Sequence, residues 1–130
     1  MIKKRPRGNL SPNSGAKARR KGHNFERLIR KKLLSIYPKC QTSRYESKML
    51  DDRGIDLTHT YPFAFQLKAV ERGVNPQKIL SEMILEKGDI PVLVHKKKGY
   101  RPIATMWFDD WLENTTKLVV EKILNDYRNE

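Results

Sequence analysis

Between Ala16 and Ile36 the apolar positions Phe25, Leu28, Ile29, Leu33 and Ile36 recur at helical spacing, and Arg20, Arg27, Arg30, Lys31 and Lys32 fall largely on the other side. That spacing predicts an amphipathic helix with one face on a core, ended by Pro38. Beyond it, "CQTSRYE" predicts a strand, "SKMLDDRG" a polar link, and "IDLTHT" and "FAFQLKAV" two further strands. A second helix is expected over "NPQKILSEMILEKG", with Asn75 as N-cap, Pro76 at the first helical position and Gly88 just past the end. Two strands follow in "IPVLVH" and "IATMWF", joined by the basic turn "KKKGYRP". A last helix starts near Asp109, with Trp111, Leu112, Leu118, Val119, Ile123 and Tyr127 at helical spacing. Trp107, Phe108 and Trp111 are expected to pack that helix on the sheet. The α-βββ-α-ββ-α order suits an α/β fold, a small mixed β-sheet flanked by helices.

Within the hairpin expected over residues 54–70, alternation separates two faces. Ile55 and Leu57 share an apolar side with Phe63, Phe65 and Leu67; Asp56 shares the other with Gln66 and Lys68. A two-residue turn at Tyr61 and Pro62 sets Asp56 opposite a leucine. Bringing it beside Gln66 and Lys68 therefore requires a longer connection or a bulge. By the same alternation His59 points to the apolar side as a structural residue.

Composition sharpens the picture. The 130 residues fit one domain, and 38% hydrophobic content allows one modest core. The formal net charge is +12, and eight of those charges lie in residues 1–22, which contain no acid. Such an excess favours a polyanionic partner, nucleic acid first. Residues 1–15, rich in Lys, Arg, Pro, Gly, Ser and Asn, read as a flexible basic arm ahead of a domain over 16–130. The single cysteine, Cys40, excludes a disulfide framework and a cysteine-rich zinc site. No apolar run is long enough to span a bilayer and no signal-peptide core follows the basic start, so a cytoplasmic or nucleoid location is expected, with no membrane partner.

Asp56, then Gln66-Leu67-Lys68 on the next strand, with Glu26 in the preceding helix "NFERLIRKKL", resembles the PD-(D/E)xK nucleases, with glutamine at the second acid. The layout is similar to the small Holliday junction resolvase-like endonucleases of archaea and phages, over residues 22–112. The resemblance implies a restriction endonuclease-like fold and hydrolysis of DNA phosphodiesters, preferably in four-way or other branched DNA, by a homodimer using Mg²⁺, with Mn²⁺ as substitute. It implies Asp56 as the central metal ligand, assisted by the Gln66 amide oxygen and the Leu67 carbonyl. Lys68 would orient or activate water, and Glu26 would hold water or a second ion. Glu46, Asp51 and Asp52 are the candidates to supply the carboxylate that Gln66 lacks, with Glu46 favoured. Lys17, Arg19, Arg20, Lys21, Arg27, Arg44, Lys96, Lys97 and Lys98 are the expected phosphate contacts, and Tyr100 is available to stack.

Plainer explanations exist for each residue taken alone. Asp56 and Lys68 suit a cross-strand ion pair, Glu26 an i,i+4 pair with Arg30, and "HKKKGYR" a solvated turn. A nicking or double-strand nuclease of the same fold, and a non-catalytic nucleic-acid-binding module, are the rival functions.

Overall fold

The computed structural model describes residues 14–129; the basic arm expected over residues 1–15 lies almost wholly outside them. The chain is mixed α/β. A 20-residue helix, α1 (Ser14–Leu33), leads to β1 (Gln41–Thr42), two short helices α2 (Ser43–Glu46) and α3 (Lys48–Asp52), and β2 (Leu57–Thr58). Then come β3 (Phe63–Val70), α4 (Pro76–Glu82), β4 (Ile90–Lys97), β5 (Ile103–Thr105) and α5 (Phe108–Arg128).

The long strands form a mixed sheet in the order β3-β4-β5, with β4 parallel to β3 and antiparallel to β5. The parallel pairing requires a crossover, which α4 provides. Asn75 caps α4 as the sequence suggests, its Oδ1 accepting from Lys78 N–H at 3.2 Å. The helix ends at Glu82, well before Gly88, because Met83 turns extended and Ile84 N–H leaves the helix to bond the Arg53 carbonyl at 3.0 Å.

Two apolar clusters cover the two faces of this sheet. Phe25 and Ile29 of α1 lie with Leu57, Phe65, Leu67, Val92 and Val94 on one side. Leu80 and Met83, from α4 and its end, lie with Ile55, Ala64 and Leu93 on the other. The expected apolar back and polar front therefore give way to two buried faces. Ile55 and Leu57 belong to different clusters, since the chain at Asp56 crosses from one layer to the other instead of running as a flat strand.

Four further expectations fail over residues 40–70. "CQTSRYE" forms only a two-residue strand before it coils into α2, and "SKMLDDRG" holds α3, whose N-terminus is capped by Ser47 Oγ accepting from Leu50 N–H. β1 and β2 make a separate two-stranded pair. β2 and β3 form no continuous ladder, and the segment between them contains His59 at φ 57° and a tight turn closed by Phe63 N–H to the Thr60 carbonyl at 2.9 Å. His59 consequently points to solvent, not to the apolar side. The long helices meet their expected spans within a few residues. α5, however, buries no side chain: Phe108 is 67% exposed and Trp111 47%, so the tryptophan-rich start does not pack on the sheet.

Leu93 is fully buried between β3, β5 and α4. Leu93→Ala is expected to cost about 2–5 kcal/mol in urea unfolding, the range for a core leucine whose cavity cannot collapse.

Candidate active site at the edge of β3

Asp56 lies at the outer edge of β3, on the side away from β4. Its N–H donates to the Phe65 carbonyl at 2.7 Å, and its carboxylate Oδ2 accepts from Leu67 N–H at 2.7 Å. A side chain thus stands where a neighbouring strand's carbonyl would continue the ladder. Its own carbonyl accepts from Ser43 N–H at 2.8 Å, tying β1 and α2 to the same point. Since N–H and C=O of one strand residue share an edge, the Leu67 carbonyl opens on the same side as the Asp56 carboxylate.

Burial pushes the Asp56 carboxyl up to about 6, against the opposing hydrogen bond from Leu67. Glu26 and Asp51 push it further up, and the Lys68 ammonium pulls it down. Four charged side chains from α1, α3, the β2 approach and β3 therefore act on one another at this edge. Gln66 adjoins them: its Oε1 lies 3.3 Å from the point where a Cβ on Gly54 would stand, two residues before Asp56. Gly54 adopts φ 77°, so it serves both the turn and the close approach of that amide.

Glu26 is half-buried. Its carboxyl is raised by burial, opposed by Arg44, whose Nη2 stands 3.0 Å from Oε2. The expected partner Arg30 points elsewhere, its Nε donating to the Cys40 carbonyl at 2.8 Å. Glu46, favoured to complete the acid set, is turned away. It accepts from Thr58 Oγ1 at 2.6 Å and faces His59 Nε2 at 2.8 Å, hydrogen bonds that hold it below the ordinary carboxylate range. Asp51, exposed on α3, instead acts on Glu26 and Asp56 through its charge, raising both. Asp52, the other alternative, does not act on either.

Five of the nine expected basic positions line two clefts. One, of about 520 Å³, is lined by Arg27, Arg30, Gln41, Thr42, Arg44 and Tyr45 and adjoins the acid cluster through Arg44. The other, of about 260 Å³, brings Lys21 of α1 together with Lys96 and Lys98 at the end of β4. Lys17, Arg19 and Arg20 are exposed on the first half of α1. Lys97 leans over Tyr100, 5.8 Å from the ring centroid.

No family model, curated protein or solved structure matches this chain.

The donor set remains to be tested against a hard divalent cation. Among the described residues no three acid, histidine or cysteine side chains gather closely enough to cage an ion. Mg²⁺ does not need such a cage: it keeps several waters and accepts one or two carboxylates with other oxygens. Asp56 uses one carboxylate oxygen on Leu67, which leaves Oδ1 available, and the Leu67 carbonyl and Gln66 amide add oxygens nearby. These residues fit the ion.

Because burial raises Asp56, the folded state holds its proton to higher pH than the unfolded chain. Stability therefore falls as pH rises from about 4 to about 6. Asp56→Asn, which keeps an acceptor for Leu67 N–H, is expected to gain ~1–2 kcal/mol at pH 7.5 and nothing at pH 4. Urea unfolding at both pH values measures it, and equal effects at the two would place the charge in a solvated setting.

Proposed function

We propose that this chain is a metal-dependent DNA endonuclease of restriction endonuclease-like, PD-(D/E)xK type, with branched or four-way DNA as its preferred substrate. The observation that carries this reading is the half-buried Asp56 carboxylate, held on β3 by Leu67 N–H, with the charges of Glu26, Asp51 and Lys68 acting on it. An aspartate raised towards neutrality in a cluster of acids is an expensive arrangement for stability alone, and such arrangements collect at functional sites. The neighbouring basic clefts supply the phosphate-binding surface that a nucleic-acid enzyme requires.

In this reading Asp56, the Leu67 carbonyl and the Gln66 amide hold Mg²⁺ or Mn²⁺, which would neutralise charge on the scissile phosphodiester and acidify a bound water. The Lys68 ammonium, its own charge balanced by Asp56, would orient the attacking water as a hydrogen-bond donor, with the water's proton passing to bulk solvent. Glu26 positions that water from α1. It must give up part of its pairing with Arg44 to do so, and a substrate phosphate is a natural competitor for that guanidinium. Arg27, Arg30 and Arg44 grip the backbone beside the cut, and Lys21, Lys96 and Lys98 do so farther along, without reading bases. Binding then weakens steeply with salt.

One observation favours a second reading. Gln66 contributes no charge and Glu26 is engaged by Arg44, so the acid cluster suits a non-catalytic nucleic-acid-binding module in which the basic clefts are the working part.

Asp56→Ala and Lys68→Ala are each expected to lower cleavage of a four-way junction in Mg²⁺ by at least 1,000-fold, roughly 4 kcal/mol in the barrier. Both are expected to leave junction binding in Ca²⁺ within about threefold. Wild-type protein that binds but cuts no four-way, flap or linear DNA with Mg²⁺ or Mn²⁺ establishes the second reading. Wild-type cleavage is further expected to fall about tenfold per pH unit at low pH, as Asp56 gains its proton and loses the cation. The midpoint lies at or below pH 6, because the cation competes with the proton. Single-turnover rates between pH 5 and 8 measure it, and a flat profile removes Asp56 as a ligand.

A further inference from the structure

A third cleft opens at the C-terminal ends of β3 and β4, with a volume of about 410 Å³. Val74, His95, Lys97, Tyr100, Arg101 and Ile103 line it, and none of its lining residues is acidic. Its shape has a local cause. β4 ends at Lys97 and the chain reverses into β5, the turn closed by Tyr100 N–H to the Lys97 carbonyl at 3.0 Å. Gly99 takes φ 84° inside that turn, a conformation glycine adopts without strain. The reversal leaves Tyr100 66% exposed, with the Lys97 ammonium 5.8 Å from its ring centroid.

Register fixes the side of the sheet to which the cleft belongs. Lys68 pairs with His95, and His95 with Ile103, so the three stand in one row on one face. Lys97, two residues on from His95, shares that face. Neighbouring strands lie about 4.8 Å apart, which puts Ile103 on the order of 10 Å from Lys68 along the row. His95 Nε2 meets Thr105 Oγ1 at 3.0 Å, and burial lowers the pKa of the ring, so it is held in place and uncharged at neutral pH.

We propose that this cleft takes one unpaired nucleotide of a DNA strand, its base stacked on Tyr100 and its phosphate against Lys97 and Arg101. Both cations are exposed, and no side chain lining the cleft neutralises them. Aromatic and aliphatic surface beside cations is the chemistry of single-strand sites, where stacking accepts any base and charge tracks the backbone. A base inside a duplex is covered on both faces by its neighbours and must leave the stack to reach such a ring. An apolar segment of protein would use Val74 and Ile103 but leave the two cations without a counter-charge. The inference deepens the nuclease reading and rests on it in one respect: a strand with its scissile phosphate at Asp56 crosses the Lys68 row into the cleft, so cleavage favours DNA with an unpaired nucleotide beside the cut.

Fluorescence anisotropy of the full chain, without divalent metal, compares a short labelled oligothymidylate with a blunt duplex of equal length. Tyr100→Ala is expected to weaken oligothymidylate binding by between about fivefold and about 150-fold, the range for losing one base–aromatic stack, and duplex binding by less than about twofold. Tyr100→Phe, which keeps the ring, is expected to match the wild type. With iodouracil at an unpaired position, ultraviolet cross-linking and peptide mass spectrometry should find the adduct on Tyr100. Equal losses on both DNAs, or adducts confined to residues outside the cleft, overturn the proposal. Thymidine monophosphate that binds as tightly as the oligonucleotide overturns a strand as the occupant. A chain that meets these binding expectations but cuts no DNA in Mg²⁺ loses the nuclease reading and keeps the cleft.

Discussion

Asp56 is the point through which the two halves of the structure are joined. Its N–H bonds Phe65, its carboxylate bonds Leu67, and its carbonyl bonds Ser43, so one residue links β3 to the small β1–β2 pair and to α2. Remove the carboxylate and Leu67 N–H loses its acceptor at a half-buried strand edge, a cost that falls on unsatisfied donors more heavily than a formed bond repays. The half-buried carboxylate itself resists ionisation. Holding the sheet edge and tuning the acid are therefore one arrangement, not two.

That arrangement explains why side chains distant in sequence act on one another. α1 rests on the Phe65–Leu67 face and carries Glu26 to the edge beside Phe25. The far face of β3 presents Gln66 and Lys68 among residues packed by α4. Asp56 lies where the chain crosses between the layers, with Ile55 in one cluster and Leu57 in the other, so it is reached from both faces. An open sheet edge between two covered faces can gather groups from three layers, and no single strand face could do so.

Much of this was legible in the sequence, and the failures have physical causes. α1, β3, α4, β4 and α5 are long or strongly periodic, and a face of three or more apolar residues declares itself. Residues 40–60 offer no such pattern. Ser47 competes for the backbone locally and caps a short helix, and His59 takes a positive φ that alternation cannot anticipate. Glu46 was favoured over Asp51 because a strand was expected there. Ser47 as N-cap, read as the start of a helix, is the signal that places Asp51 four residues on in α3, where its charge reaches Glu26 and Asp56. The pairing of Glu26 with Arg44 joins residues 18 apart, and nothing local encodes it. Conversely, the periodicity of α5 is legible but its exposure is not, because a helical stripe predicts the helix without fixing what it packs on.

The carboxylate of Asp56 has one more effect on the sheet. By occupying the N–H of Leu67, it denies the outer margin of β3 to any extended segment seeking to add itself there. At the opposite margin β5 is only three residues long, too brief a template for recruitment. Both rims of the three-stranded sheet thus offer little template to which a further strand could add.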